Sequence, residues 1–206
     1  MLRILLVILS FSFADAATFK TIYQFGDSSD ALVGPGGPMV QDSKGVLYGT
    51  TLDEYGAFFS LSPPASPGGQ WTAAVLYQFG GISPAGPAGV VPGPGGALYG
   101  TTAAGGTYGD GTVFRMNPPS APGGSWTETV LWSFGSPGDG ATPAGPIAID
   151  GSGVIHGVTI GGGSFRVGTA FTLAPASGGA WSETVIHSFG GAGDGCNPAS
   201  IVLDAD

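Results

Sequence analysis

The sequence predicts an all-β fold of the β-propeller type, and three observations support this prediction. The 206 residues include 40 Gly and 17 Pro, which leave little room for helices with a 3.6-residue hydrophobic period. The sequence also repeats itself with a period of about 55 residues. Each repeat contains four short runs rich in β-branched and aromatic residues, separated by Gly and Pro. Four strands per repeat suit one propeller blade, and a solenoid or a sandwich is the alternative.

The first residues are typical of a secretory signal peptide. Arg3 supplies a positive charge, residues 4–13 are apolar apart from two serines, and Ala14-Asp15-Ala16 matches a cleavage site. The apolar run is shorter than the roughly 20 residues that span a bilayer. We therefore expect residues 1–16 to be removed and residues 17–206 to form the repeat domain. The predicted location is secreted or cell-surface, with no transmembrane segment beyond the signal peptide.

The repeats are marked most clearly by aromatic residues at fixed spacing. A phenylalanine follows the fourth run of each unit, at intervals of 54, 55 and 55 residues, and a tryptophan precedes three of these runs at intervals of 55. The units span about residues 27–80, 81–135 and 136–190, with a partial unit at 191–206. The recurring residues are Phe25, Phe79, Phe134 and Phe189, and Trp71, Trp126 and Trp181.

The strands of the third repeat are predicted at residues 145–150, 154–160, 168–173 and 183–189. The turn between the first two is Asp150-Gly151-Ser152-Gly153, because Gly supplies positive φ and an Asp side chain accepts nearby backbone donors. Single strands at residues 20–25 and 200–204 bring the expected total to fourteen, or about three and a half blades. We therefore expect an incomplete ring, either as a fragment of a longer protein or as a short chain that self-associates.

Several motifs together resemble the GloVer (Gloeobacter/Verrucomicrobia) tandem repeat family. They are Leu-Tyr-Gly-Thr-Thr at 47–51 and 98–102, Gly-Thr-Val-Phe at 111–114, Trp-x-Glu-Thr-Val at 126–130 and 181–185, and Gly-Asp-Gly-x-x-Pro at 138–143 and 193–198. The resemblance covers residues 19–206 and implies secreted or surface-anchored bacterial proteins with propeller-like repeats. It implies no established activity, so it assigns no functional residues. The third repeat departs from it at His156, and the first lacks the Glu after Trp71.

The charge of the chain disfavours nucleic acid as a partner, and its cysteine content excludes an internal disulfide. Five Lys and Arg against 14 Asp and Glu give a net charge of −9, so no basic patch for nucleic acid is expected. Cys196 is the sole cysteine of the sequence and cannot form an internal disulfide. It aligns with Ala141 of the preceding repeat, which indicates an incidental small residue in a loop.

Comparison between repeats also indicates whether the histidines are structural or functional, because a structural residue type tends to recur at the equivalent position of other repeats. His156 stands where the other repeats have Tyr48 and Tyr99. His187 stands where they have tyrosines or Trp132. Both are therefore predicted to replace packed aromatic residues, and their spacing is not that of a zinc site.

The carboxylates provide the remaining candidates. Asp30, Asp139 and Asp194 are equivalent and could form a ring that binds Ca²⁺, although a turn between blades is the favoured interpretation. The pair Asp53-Glu54 is expected in a solvated loop, since neighbouring residues on a strand point to opposite faces. Two recurring glutamates are expected on an exposed strand face rather than as an acid and a base. They are Glu128 and Glu183.

These observations predict no catalytic, cofactor-binding or metal-binding residue and no cofactor. The sequence favours a non-catalytic extracellular or cell-surface module that binds or scaffolds, with a polysaccharide or a surface protein as partner. A carbohydrate-active propeller enzyme is the alternative, and it would need unique clustered polar residues.

Overall fold

The computed structural model describes residues 20–26, 32–52, 55–80 and 86–204, and this part of the chain is all-β. Its twelve strands form three four-stranded antiparallel sheets, each with its strands in chain order. Sheet 1 contains β1 (Val40–Gln41), β2 (Leu47–Thr50), β3 (Ala57–Ser62) and β4 (Thr72–Gln78). Sheet 2 contains β5 (Pro87–Pro92), β6 (Leu98–Thr102), β7 (Thr112–Asn117) and β8 (Thr127–Ser133). Sheet 3 contains β9 (Gly140–Ile149), β10 (Ile155–Gly162), β11 (Thr169–Pro175) and β12 (Trp181–Ser188).

The predicted fold class and the four strands per repeat are confirmed. The only helical turns in the described ranges are two short 3₁₀ segments, Pro94–Gly96 and Ser177–Gly179. No helix in these ranges has the length and apolar character needed to cross a membrane. The sheets form a propeller-like stack without a closed ring among the described residues.

The prediction of fourteen strands is wrong at both ends. Neither residues 20–25 nor residues 200–204 form a strand. A β-strand exchanges backbone hydrogen bonds with a neighbouring strand, and neither segment belongs to any of the three sheets. The first strand of the third repeat, predicted from residue 145, begins at Gly140 instead. There Gly140 and Ala141 pair with Gly162 and Gly161, beyond an irregularity in the register.

Aspartates organise the tight turns between the first two strands of sheets 1 and 3. Asp42 Oδ1 accepts the backbone N–H groups of Lys44 and Val46 at 2.8 and 2.9 Å. Asp150 Oδ1 accepts those of Ser152 and Val154 at 2.9 and 3.0 Å. The predicted turn after Asp150 is thereby confirmed.

Packing within the sheets explains why the Leu-Tyr-Gly-Thr-Thr motif contains a glycine and a second threonine. A Cβ on Gly100 would lie 2.5 Å from the Gly89 carbonyl oxygen and 2.7 Å from the ring of Phe114, so only glycine fits. The second threonine joins the two middle strands of its sheet. Thr102 Oγ1 lies 2.7 Å from Thr112 Oγ1, both side chains being fully buried. Because each buried hydroxyl has a partner, the pair avoids the cost of unsatisfied polar groups.

Phenylalanine rings join each sheet to the element before it in the chain. The recurring phenylalanine that ends each repeat unit, or precedes the first, meets the phenylalanine in the third strand of the next sheet, edge to face. The centroid distances are 5.4 Å for Phe25–Phe59, 5.2 Å for Phe79–Phe114 and 5.0 Å for Phe134–Phe171. We call the contact between sheets 1 and 2 the first seam and that between sheets 2 and 3 the second seam. Each seam contains its own hydrophobic cluster.

Candidate functional site

The two histidines occupy the aromatic positions that the sequence predicts. His156 pairs with Thr172 across the strands as Tyr48 pairs with Ser60. Its Nε2 lies 3.2 Å from Asp150 Oδ2, as the Tyr48 hydroxyl lies 3.3 Å from Asp42 Oδ2. Hydrogen bonds from Ser152 and His156 hold the pKa of the Asp150 carboxyl well below its usual range.

His187 stands at the fourth-strand position of Tyr77 and Trp132. Its ring meets Phe189 edge to face at 4.7 Å, as Tyr77 meets Phe79 at 5.3 Å. Its Nε2 lies 2.7 Å from Asp194 Oδ2, and this hydrogen bond lowers the pKa of Asp194. Both histidines therefore take the places of aromatic residues and, like Tyr48, Tyr77 and Trp132, bond to a carboxylate.

The equivalent aspartates lie in turns, as the favoured interpretation predicts. Asp139 accepts the indole N–H of Trp132 at 3.1 Å and the backbone N–H of Gly140 at 2.6 Å. Asp194 accepts the backbone N–H of Gly195 at 2.8 Å in addition to its contact with His187. Asp30 lies outside the described residues, as does the pair Asp53-Glu54. Within the described ranges no three His, Cys, Asp or Glu side chains are placed to hold a metal ion.

The placement of Glu128 and Glu183 on an exposed strand face is wrong. Both are half-buried, and the Oε1 atom of each is buried without a hydrogen-bond partner among the described residues. Glu128 pairs across the strands with Met116 and Glu183 with Leu173, so each lies in a row that faces the preceding sheet. Sequence alternation shows that a strand has two faces, but not which of them a neighbouring sheet covers.

Each seam therefore contains a glutamate with one buried carboxyl oxygen. In the first seam the Tyr77 hydroxyl donates to Glu128 Oε2 at 3.1 Å. Burial raises the pKa of Glu128. In the second seam the carboxyl group of Glu183 meets that of Asp139. Burial and the charge of Asp139 raise the pKa of Glu183 to about 7. Burial also raises the pKa of Asp139. The pair can share one proton, because two adjacent carboxylates in a poorly solvated seam repel each other.

The first seam opens at one end into a groove with a volume of about 280 Å³. The sequence did not single out this site. Its aromatic wall is formed by Trp126 and Tyr48, whose ring centroids are 5.6 Å apart at an angle of 55°. Pro92 of β5 and Pro118, which directly follows β7, also line the groove. We call this site the first-seam groove.

Polar groups stand at the rim of the first-seam groove. They come from Gln41 and Asp42, at the end of β1. Gln41 is exposed, and its amide N–H donates to the Gly45 carbonyl at 3.3 Å; the amide also carries an oxygen that can accept a hydrogen bond. Concave sites with apolar walls and a few polar groups are the usual form of small-ligand pockets.

The second seam has equivalent aromatic residues at the position of the groove, but its packing there differs. Tyr99 and Trp181 correspond to Tyr48 and Trp126, and both pack in the cluster of the second seam. Pro92 pairs with Leu98 across the strands, and its counterpart Ile149 pairs with Ile155. Ile149 belongs to the same cluster. Its Cδ1 lies close to Gly93, since a Cβ added to Gly93 would be 3.1 Å from this atom. The second seam thus has a branched side chain at the position where the first seam has Pro92.

The remaining sequence candidate, Cys196, is a free and exposed thiol. The proposed signal peptide, residues 1–16, lies outside the described residues, so its cleavage stays a prediction.

The comparisons with known proteins agree with the resemblance seen in the motifs. A family model described as the Gloeobacter/Verrucomicrobia repeat matches residues 8–206. No curated protein matches the chain.

Proposed function

The chain belongs to the Gloeobacter/Verrucomicrobia repeat family, and from this premise we propose that it is a non-catalytic module that binds neutral polysaccharide outside the cell. The observation that supports this function best is the first-seam groove, where Trp126 and Tyr48 form an aromatic wall beside Gln41 and Asp42. A sugar ring has an apolar face of C–H groups and hydroxyls at its edge. The groove offers a counterpart for each, namely rings for the face and an amide and a carboxylate for the hydroxyls.

Charge argues for a neutral polymer. The net charge of −9 and the five Lys and Arg residues disfavour acidic polysaccharides as well as nucleic acids. A volume of about 280 Å³ suits one ring of a chain better than an interface with a folded protein, which needs a far larger area. The groove is open at the surface, so neighbouring rings of a polymer have room to extend beyond it.

The extracellular location rests on the N-terminal segment. Its positive charge, apolar run and Ala-x-Ala site are the features that secretion signals share. Sequencing of the secreted protein is expected to begin at Ala17, and a secreted protein that retains residues 5–9 would contradict this location.

Calorimetric titration with neutral hexasaccharides of glucose, mannose and xylose tests the groove. We expect one of them to bind with a millimolar to micromolar Kd, as is reasonable for a small contact area. Pro92→Ile should abolish binding, because it places the side chain of Ile149 at the equivalent position in the groove. Trp126→Ala should abolish it as well, because it removes the aromatic wall.

The matched control is Trp181→Ala, which makes the same truncation in the second seam. It should lower the melting temperature about as much as Trp126→Ala and leave sugar binding intact. If no neutral sugar binds, or if Pro92→Ile binds as well as the unaltered chain, the assignment of the groove is wrong.

One observation favours the enzyme as a second candidate. The Asp139–Glu183 pair includes a carboxyl group whose pKa is raised to about 7, as general acids require. However, glycosidases hold their two carboxyl groups about 5–10 Å apart, with the substrate between them. Here the two groups contact each other, and Glu183 Oε1 is buried. Release of reducing sugar that Glu183→Gln abolishes would support the enzyme and contradict the binding module.

A further inference from the structure

A second pocket, with a volume of about 360 Å³, lies where three connections between strands come together. They are the connections from β6 to β7, from β8 to β9 and from β10 to β11, so the pocket lies between the ends of sheets 2 and 3. We call it the interloop pocket and define it by Asp110, Ser136, Asp139, Gly163 and Arg166. In the described part of the chain it shares no lining residue with the first-seam groove and has no aromatic one. Its volume suits a small molecule, but a sugar ring finds no stacking partner here.

Two residues of the interloop pocket carry charges that do not recur between the repeats. Asp110 stands where the other repeats have Tyr55 and Val167, and Arg166 stands where the second repeat has Gly109. Charged residues make up only 9% of the sequence, and five of them are Lys or Arg. A structural residue type tends to recur at equivalent positions, so two non-recurring charges in one pocket indicate a role in binding rather than in packing.

The backbone at Arg166 supports this interpretation. Arg166 has a φ of +60°, and Gly109 at the equivalent position has a φ of +87°. This left-handed region is unfavourable for a residue with a Cβ and costs glycine nothing. The Arg166 N–H also donates to the Gly163 carbonyl at 3.3 Å within the turn. The chain thus has arginine where glycine fits the backbone better, and such positions concentrate at functional sites.

The two opposite charges of the pocket are not used by the fold. Neither the Arg166 nor the Asp110 side chain has a hydrogen bond or an ion pair within the described ranges, where the ion pairs found involve histidines. Both residues are exposed at the pocket, so a ligand can reach them.

The second carboxylate of the pocket, Asp139, is already occupied. It is 8% exposed, and its two oxygen atoms accept the backbone N–H of Gly140 and the indole N–H of Trp132. The interloop pocket therefore offers a ligand one free guanidinium, one free carboxylate and the hydroxyl of Ser136.

We propose that the interloop pocket binds a small zwitterion of the amino-acid type, whose carboxylate pairs with Arg166 and whose ammonium group pairs with Asp110. A guanidinium matches a carboxylate with two parallel hydrogen bonds, and an ammonium group donates to a carboxylate. An anion alone would be repelled by Asp110 and a cation alone by Arg166, so a ligand with both charges is the best match. This site goes beyond polysaccharide binding and does not depend on it.

Two sources supply this chemistry. In a free amino acid a single carbon atom separates the ammonium and carboxylate groups, whereas in a short peptide they lie farther apart. Alanine, dialanine and trialanine place the same two charges at increasing separation. The strongest binding by alanine would identify a free amino acid as the ligand, and the strongest binding by one of the peptides would identify a short peptide.

Calorimetric titration of the full chain with these three compounds near neutral pH is the test. We expect at least one of them to bind with a Kd in the millimolar to micromolar range. The N-acetylated and the C-amidated forms of that compound each lack one charge. Both should bind more weakly by about tenfold or more, because each loses a charge-assisted hydrogen bond.

Variants of the two charged residues test the assignment. Arg166→Gly, Arg166→Gln and Asp110→Asn should each weaken binding by about tenfold or more. Arg166→Gly should keep or raise the melting temperature, because glycine suits the backbone there, so its loss of binding is not a loss of folding. Lys44→Gln is the matched control, since it removes one positive charge from an exposed turn outside the pocket and should leave binding unchanged.

Three results would overturn the proposal. They are no binding by any of the three compounds, equal binding by the forms that lack one charge, and unaltered binding by Arg166→Gly and Asp110→Asn. Pro92→Ile should leave amino-acid binding unchanged, because Pro92 does not line the interloop pocket. A failure of sugar binding alone would therefore concern the first-seam groove and not this site.

Discussion

At Gly100, two neighbours fill the space in which any other residue would place its side chain. The Gly89 carbonyl oxygen and the Phe114 ring would lie 2.5 and 2.7 Å from a Cβ, and Phe114 is fully buried. Equivalent rings lie over Gly49 and Gly157. The motif thus contains glycine because the sheet places a phenylalanine ring over it, and at Gly100 a backbone carbonyl as well.

Gly100→Ala is therefore expected to destabilise the chain by about 1–3 kcal/mol, the usual range for overpacking in a dense core. Gly151→Ala is the matched control, since a Cβ there has no neighbour within 4 Å and its φ is not in the left-handed region. Urea unfolding measures both variants. Equal stability of the two would contradict the packing argument.

The place of an individual residue could be predicted from the sequence where other repeats have a residue of similar shape at the equivalent position. His156 and His187 were assigned correctly because tyrosine and tryptophan stand at their positions in other repeats. Glu128 and Glu183 were placed wrongly, because their repetition is equally compatible with an exposed face and with one that another sheet covers. The distinction depends on contacts between sheets, which the spacing of residues within one strand does not reveal.

At the scale of strands and sheets, the second seam places two acidic groups in contact. The pKa of Glu183 is raised from its ordinary value of 4.5 to about 7. Between these two pH values the folded chain binds more protons at this site than the unfolded chain does. The stability that this site contributes is therefore greatest below pH 4.5 and decreases as the pH rises through 7.

We accordingly expect the free energy of unfolding to fall from pH 5 to pH 8 by about 1–2 kcal/mol more in the unaltered chain than in Glu183→Gln, allowing for solvent that reaches this half-buried group. Urea titrations at four pH values provide the measurement. Glu128→Gln is the comparison variant, because it leaves the Asp139–Glu183 pair in place. Parallel pH profiles for the unaltered chain and Glu183→Gln would show that the pair does not share a proton.

The strands of the complete repeats could be predicted because Gly and Pro punctuate short β-branched and aromatic runs. Residues 20–25 and 200–204 contain similar apolar runs, but the structure places neither in a sheet, so composition alone predicted two strands too many. The first-seam groove was not predictable, because it depends on the difference in shape between Pro92 and Ile149 at equivalent positions. That difference has consequences only when two sheets are packed together.

Across the whole molecule, each sheet packs on its neighbours in the chain, through separate clusters at the first and second seams. Repeat proteins built in this way gain stability from successive interfaces and offer similar sites at successive positions. This chain differs from a uniform repeat because its seams are not filled alike. Trp126 and Trp181 are equivalent in sequence, but Trp126 lines the first-seam groove beside Pro92, whereas Trp181 packs in a cluster that includes Ile149.

The most direct test of this account is an NMR titration that follows the indole N–H signals of the tryptophans with the neutral hexasaccharide that binds in calorimetry. We predict that the signal of Trp126 shifts with sugar concentration, while those of Trp71 and Trp181 stay in place. Pro92→Ile should remove the shift. A shift at Trp71 or Trp181 without one at Trp126 would place the binding site elsewhere and contradict the assignment of polysaccharide binding to the first-seam groove.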